Sequence, residues 1–386
     1  MLQAETIGIA GKTFNNCQNL KNITIPQNVL YIADSAFVGC NNIEELSVSA
    51  VHIHSLMLIL DPIKVIITGG DKIEYGTFYK SKNLTNVILS DEITIIEGSA
   101  FEECLKLEEV VLSNNLKIIG AYAFEDCSNL KTITIPDSIQ YIEDRAFSGC
   151  DSLSGVYISD LASWCEITFV GYPVDGSSNP LEKAHNLYLN GELLTEVVIP
   201  NSVTAIKDYT FKGCTSLINI TLSENVENIG KMAFYHCVNL KNVDVKGKVK
   251  EIGANAFDGC YNLLLIDFPE DSVITFGEFA FSGCVRLTEI IIPQSTLSIE
   301  RYAFAGCRGL VQIVIPHGTT SIGFQVFDGC SSLVSIIIPK SVTTIGGGVF
   351  NGCRNLTIYM EVENKPQDWS IGWNCGCPVV WGYKKN

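Results

Sequence analysis

Cysteine is the residue type best placed to do chemistry in this chain: there are fifteen of them in 386 residues. Twelve recur at a near-fixed interval: Cys17, Cys40, Cys104, Cys127, Cys150, Cys214, Cys237, Cys260, Cys284, Cys307, Cys330 and Cys353. Most neighbours stand 23 residues apart, one pair stands 24 apart, and two gaps are 64. A thiol in such an array could bridge to its neighbour, ligate zinc or simply fill space. A zinc site needs two ligands a few residues apart, and the array offers one per repeat. Stacked repeats lie roughly 4.7–4.9 Å apart, so the Cα separation alone permits a disulfide. Parallel side chains, however, keep their Cβ atoms beyond the usual ~3.5–4.5 Å. The spacing therefore predicts a ladder of reduced, buried thiols that pack as small hydrophobes. Ser81, which stands where the first 64-residue gap lacks a Cys, fits that reading. Cys165 and the "CGC" pair Cys375/Cys377 fall outside the ladder. The pair is open to a strained local disulfide, a redox couple or plain cap packing.

Other chemistry is sparse. Five histidines are present, and "HIH" (His52, His54) would place both rings on one side of a strand without a third ligand pattern. No G-x-S-x-G, H-E-x-x-H or phosphate-loop pattern occurs. Carboxylates are plentiful but show no distinctive pairing. No catalytic residue, metal or cofactor is expected. A formal net charge of −16 repels phosphate backbones and argues against nucleic acid as a partner. The apolar share of 47% with 18% charged residues belongs to a folded chain. No apolar run approaches the ~18 residues of a membrane span, since "SLMLIL" is broken at once by Asp61-Pro62. The opening "MLQAETIGIAGKTF" has neither a basic nor an apolar leader segment. It reads as starting partway through a structural unit, so a fragment is expected.

The elements that position the cysteines are repeats. Thirteen copies of F-x-x-[C/S] run from Phe14 to Phe350, with Phe78 and Ser81 supplying the copy in the first gap. Written out from "LKTITIPDSIQYIEDRAFSGC", the unit is L-x-x-I-x-I-P-x-x-[VI]-x-x-I-x-x-x-A-F-x-x-C. Leu130, Ile133 and Ile135 follow the period-2 alternation of a short half-buried strand. Proline then stops it, as at Pro136, Pro200, Pro293, Pro316 and Pro339, because it has no N–H for the ladder. V-x-x-I, as in Val342 and Ile345, makes a second extended piece on the opposite wall. A turn follows and A-F returns to the core. Such a unit buries too little alone, so neighbouring turns must share one core.

This unit resembles the leucine-rich repeat of the BspA-like surface protein family, which has the same strand, the same proline and the same A-F-x-x-C ending. The resemblance implies a right-handed leucine-rich repeat solenoid, mainly β, with short strands on two walls and little helix. About fourteen coils of 23 residues plus a C-terminal cap are expected. The expected organisation is a solenoid over residues 1–358, with an irregular turn at about 41–77 and an insertion at about 154–194, and a Trp-rich cap over 359–386. In the first departure "VIITGG" still supplies a strand. In the insertion "GYPVDGSSNP" is a loop by composition, and "LYLNGELL" signals a hairpin through Asn-Gly. Trp369, Trp373 and Trp381 are expected to cover the last turn.

What remains for function is a surface. The residue between the two inward positions of I-x-I points outward. Along the chain it is Thr24, Ser47, Ile88, Val111, Thr134, Tyr157, Val198, Thr221, Asp244, Asp267, Ile291, Val314 and Ile337. Two residues earlier stand Asn86, Glu109, Glu289, Gln312 and Ser335. Ile291, Val314 and Ile337 align as an apolar stripe beside an acidic step at Asp244 and Asp267. Ile88 and Val111 make a smaller one. Strand propensity alone would place β-branched residues here; a contact strip would too. The resemblance implies a protein at a bacterial cell surface that binds host or bacterial surface proteins; a monomer without catalytic activity is expected. A structural spacer and a glycan-binding module, for which Tyr157 is the one ladder aromatic, are the alternatives.

Overall fold

The computed structural model describes residues 5–171, 178–270, 272 and 275–384. Most of the loop "GYPVDGSSNP" lies outside them. Two compact units divide the chain, residues 1–163 with 167–192, and residues 164–166 with 193–386. Each is a β-solenoid. About sixteen turns are present in the two units together, with 5% helix. That exceeds the fourteen read from the spacing because the insertion and the cap each contribute wall strands, at Leu187–Leu189 and Val379–Val380.

The local structure follows the repeat. On one wall, strands such as Asn86–Leu89 and Glu109–Val111 in the first unit, and Asn219–Leu222 and Asn242–Val245 in the second, pair in parallel with equivalent residues in register. The opposite wall is built from two-residue strands such as Ile95–Ile96 and Ile118–Ile119, again parallel. Proline does more than end a strand. The carbonyls of Pro136, Pro200 and Pro339 accept the N–H three residues on, from Ile139, Val203 and Val342, and so open the turn between walls. Among the described residues the first wall is interrupted once within each unit: the strands Glu109–Val111 and Thr132–Thr134 belong to separate sheets in the first, and Leu265–Asp267 and Glu289–Ile290 in the second.

The core is a stack of identical side chains. In the first unit Phe78, Phe101, Phe124 and Phe147 stack face to face at 4.8, 4.9 and 5.3 Å between centroids. In the second, Phe211, Phe234, Phe257, Phe281, Phe304, Phe327 and Phe350 do the same at 5.0–5.8 Å. Each of these rings is fully buried. The second unit's stack ends on Trp373, which meets Phe350 edge-on at 6.1 Å and packs with Trp369 and Trp381. Trp369 and Trp373 are buried, while Trp381 stays partly open.

The corner that carries A-F has an unusual backbone. The residue two after the Phe has positive φ in all thirteen repeats, and the residue two before it in all but the Phe37 repeat. Glycine fills the later position at Gly39, Gly149, Gly213, Gly259, Gly283, Gly306, Gly329 and Gly352. At Gly149 a Cβ would also meet Asp126 Oδ1 of the preceding turn at 2.0 Å, and at Gly39 it would meet Asn16 Oδ1 at 2.2 Å. Non-glycine residues there hold a left-handed conformation that L-residues disfavour. Asp126 (φ 58) is exposed in mid-stack. Asp126→Gly should therefore raise stability by about 0.5–1 kcal/mol, the relief of strain exceeding glycine's added freedom in the unfolded chain. A urea midpoint that stays put or falls would show that no strain is held there.

Two local expectations change. Residues Ala50–Met57 form helix α1, so His52 and His54 do not sit side by side on a strand. Ala50, Ile53 and Leu56 are its buried stripe, spaced by three and so helical in period. The rings part: His52 Nε2 lies 2.8 Å from Val29 O, and His54 Nδ1 lies 3.5 Å from Thr77 Oγ1. In the insertion, helices α2 (Leu161–Glu166) and α3 (Leu181–Ala184) precede the hairpin. Its turn is Asn190–Gly191, both with positive φ as a type I′ turn requires, between Leu187–Leu189 and the strand opening at Glu192. Trp164 of α2 is buried and donates from Nε1 to Thr210 O at 3.1 Å.

Candidate binding surface

The thiols come first, because their environment decides whether they react. All fifteen cysteines are free. Of the twelve ladder members, eleven are buried and Cys17, in the first described turn with one neighbour rather than two, is half-exposed. Each thiol from the second turn of a stack onward reaches the carbonyl of the preceding Phe. Cys104 donates to Phe78 O at 2.9 Å, Cys127 to Phe101 O at 3.1 Å, and Cys284 to Phe257 O at 3.3 Å. The same bond recurs at Cys40, Cys150, Cys237, Cys260, Cys307, Cys330 and Cys353. These cysteines are thus hydrogen-bond donors as well as space fillers. Ser81 stands where α1 replaces the preceding Phe turn, so no Phe carbonyl waits beneath it. Cys377 adds a rung: its Sγ lies 3.5 Å from Cys353 O and 4.0 Å from Phe350 O, under Trp373. Cys375 is exposed. Desolvation pushes the Cys104, Cys150 and Cys307 thiols up to about 12, and Cys127, Cys237, Cys284 and Cys330 well above the ordinary range. A thiol protonated at neutral pH is a poor nucleophile and a poor ligand. Among the described residues, no group of three or more His, Cys, Asp and Glu is placed to hold a metal ion.

The outward face of the first wall is the other candidate. In the first unit Thr24, Ser47, Ile66, Ile88 and Val111 are register partners in order, and Thr134, Tyr157 and Tyr188 follow in the next sheet. Ser47 is buried, contrary to its outward assignment, since its short side chain does not reach past Thr24 and Ile66. Val111 is exposed, and Ile88 and Tyr157 are half-buried. In the second unit Val198, Thr221, Asp244 and Asp267 align, and Val314, Ile337, Tyr359 and Val380 align beyond them. Val198, Ile291 and Val314 are 72%, 63% and 57% exposed, while Ile337 is half-buried. Glu289, Gln312, Ile291 and Val314 border a shallow cavity of about 280 Å³. Asp244 is paired with Lys246 at 2.7 Å, which blunts the acidic step, whereas Asp267 is exposed without an ion pair among the described residues.

Sequence spacing missed Ile66, Tyr188, Tyr359 and Val380. Tyr188 follows Tyr157 by 31 residues and Tyr359 follows Ile337 by 22, so neither falls on the 23-residue period. Beside this column runs a polar one. Asn86 Nδ2 donates to Glu109 Oε2 at 2.9 Å, Lys64 pairs with Glu45 at 3.0 Å, and Asn242 Nδ2 donates to Asn219 Oδ1 at 2.8 Å. The wall is an exposed, laterally cross-linked surface with apolar and polar columns. Among the described residues no helix is long and apolar enough to cross a membrane.

Stacked parallel strands, an in-register apolar core and this open wall define a leucine-rich repeat protein, a class generally without enzymatic activity and generally one that binds proteins. The BspA type leucine rich repeat region, in six copies, matches residues 2–56, 65–171, 184–308 and 274–367. The chain belongs to that family. A leucine-rich repeat protein from Bacteroides ovatus ATCC 8483 is similar in fold, with 22% identity, a TM-score of 0.56, and 92% of this chain and 87% of that one covered. A leucine rich cell surface protein from Faecalibacterium prausnitzii A2-165 is 27% identical with a TM-score of 0.49, covering 84% of this chain and 92% of its own. Among curated proteins none matches.

Proposed function

We propose that the chain is a non-catalytic cell-surface protein that adheres to host or bacterial surface proteins through the strand wall of its second unit. The observation that carries this is the exposed stripe of Ile291 and Val314, continued by Ile337 and Tyr359 and edged by Glu289, Gln312 and Ser335. Aligned exposed apolar residues rimmed by polar ones suit a partner surface. Strand propensity accounts for β-branched residues but not for their clustering in consecutive turns next to Asp244 and Asp267. Family membership supports the location. A wall with a large exposed area and little depth favours a macromolecular partner over a small substrate.

The test is binding of the purified chain to a panel of host matrix proteins at physiological salt. The Ile291/Val314/Ile337→Ser variant should lose at least about tenfold in affinity, a change that requires the three central apolar contacts to lose only about 1.4 kcal/mol between them. Its melting temperature should change little for Ile291 and Val314, whose side chains are mostly exposed. Binding undiminished in the folded variant would move the contact elsewhere. Binding neither to these proteins nor to glycans would favour a structural spacer.

A further inference from the structure

The break in the first unit's wall opens a groove of about 380 Å³ between the turns of Glu109–Val111 and Thr132–Thr134. Its lining is polar and mixed in hydrogen-bonding sense. Glu109 and Asp137 bring carboxylates, Asn114 an amide, and Thr132, Thr134 and Ser159 hydroxyls. Ser159 Oγ lies 2.8 Å from both Asp137 oxygens, and Asn86 holds one oxygen of Glu109. Both carboxylates are thereby oriented yet keep acceptor capacity.

One turn further on, Tyr157 and Tyr188 stack at 4.5 Å between centroids and 10° between planes. Both are half-buried. They lean over Gly155, where a Cβ would stand 3.0 Å from Tyr188 Cε2 and 3.1 Å from Tyr157 Cε2. Gly155 is the register partner of Thr132, so the aromatic pair is turned toward the column that lines the groove. A Cβ at 155 would make the rings give by a few tenths of an ångström, and a branched side chain would displace them further. An aromatic surface set beside oriented acceptors and hydroxyls matches a ligand with apolar C–H faces and many O–H donors.

We propose that this groove and the Tyr157–Tyr188 pair form a binding site for a neutral oligosaccharide. Two carboxylates at the groove disfavour acidic sugars and phosphate-bearing ligands. The threonine hydroxyls and the Asn114 amide oxygen add donors and acceptors that a polyhydroxylated chain can use in alternation, the Asn114 Nδ2 itself lying 3.4 Å from Asp91 Oδ2. The site lies wholly in the first unit and does not depend on the protein-contact reading of the second.

Isothermal titration of the full chain with hexaoses of glucose, mannose and galactose tests it, with a heparin hexasaccharide and a (Gly-Lys)5 peptide for contrast. At least one neutral hexaose should bind with a Kd on the order of 0.1–1 mM. Asp137→Asn, which keeps the shape, should weaken it by about tenfold. Gly155→Val, suited to a strand, should weaken it similarly by displacing the rings; thermal melts check that both variants fold, and Glu109→Gln replaces either that does not. The Ile291/Val314/Ile337→Ser chain should bind the sugar normally. Absence of binding by every neutral hexaose, binding confined to heparin or to the basic peptide, or full binding by folded Asp137→Asn and Gly155→Val would each overturn the assignment.

Discussion

Phe257→Ala should lower the stability of the second unit by about 3–5 kcal/mol, the range for deleting a buried aromatic ring. The ring is fully buried, with Phe234 and Phe281 each stacked on it at 5.0 Å. The hole left behind would be bounded on both sides by rings whose spacing is set by parallel strand ladders on two walls, so it is poorly placed to collapse. Its backbone carbonyl also anchors the Cys284 thiol, so looseness at the corner would reach the next turn. In a linear array, stability is shared between neighbouring turns, and a weak turn in mid-stack uncouples the two sides. Urea unfolding followed by circular dichroism should show a lowered midpoint and, as coupling fails, a shallower or two-step transition. Phe14→Ala is the control: that ring is half-exposed and stacks on Phe37 alone, at 5.0 Å, so its loss should cost less than half as much. An unchanged midpoint for Phe257→Ala would mean the stacked rings are not the core.

The same repetition explains what could be read in advance. A residue that recurs once per turn must lie over its own copies, so the spacing implied buried Phe and Cys positions in a stacked array, and the L-x-x-I-x-I and V-x-x-I segments implied its two walls. What escaped that logic breaks the period. Helix α1 has a stripe of three residues, Ala50, Ile53 and Leu56, too short to stand out between strands. Tyr188 and Tyr359 reach the outward column only because the turns preceding them are longer or shorter than 23 residues. Trp373 and Cys377 take the rungs above Phe350 and Cys353, disguised by a change of residue type and a one-residue shift. The thiol-to-carbonyl bond was beyond spacing altogether, since it depends on where the preceding turn aims its Phe carbonyl. The groove at Glu109 and Thr132 arises from a lapse in strand pairing between two turns of ordinary sequence.

The thiol ladder leads to the second large effect, an alkaline unfolding transition steeper than ordinary side chains produce. In the second unit Cys237, Cys260, Cys284, Cys307, Cys330 and Cys353 all have thiols pushed up, chiefly by desolvation, to about 12 at Cys307 and Cys353. In the unfolded chain a thiol ionises near 8.5. Above that pH the unfolded chain holds fewer protons than the folded one, so stability falls as pH rises; below it the contribution is fully present. One pH unit above 8.5, each thiol withdraws about 1.4 kcal/mol, and six withdraw about 8 kcal/mol. That rivals the ~5–15 kcal/mol that holds a domain together. Under reducing conditions the folded chain should therefore be stable to about pH 8.5 and unfold between about pH 9 and 10, before lysines lose their charge near 10.4. Thiol labelling with a small reagent should follow the same profile: exposed Cys375 and half-exposed Cys17 label at neutral pH, and the eleven buried ladder thiols label only as the circular dichroism signal is lost. A variant with Cys260, Cys284 and Cys307 changed to Ala should be less stable at pH 7, having lost three hydrogen bonds to Phe carbonyls, yet its second unit, with three of six such thiols left, should lose stability with pH about half as steeply. If that variant and the parent lose stability with pH at the same rate, the buried thiols are not the source of the transition, and the ladder is packing material alone.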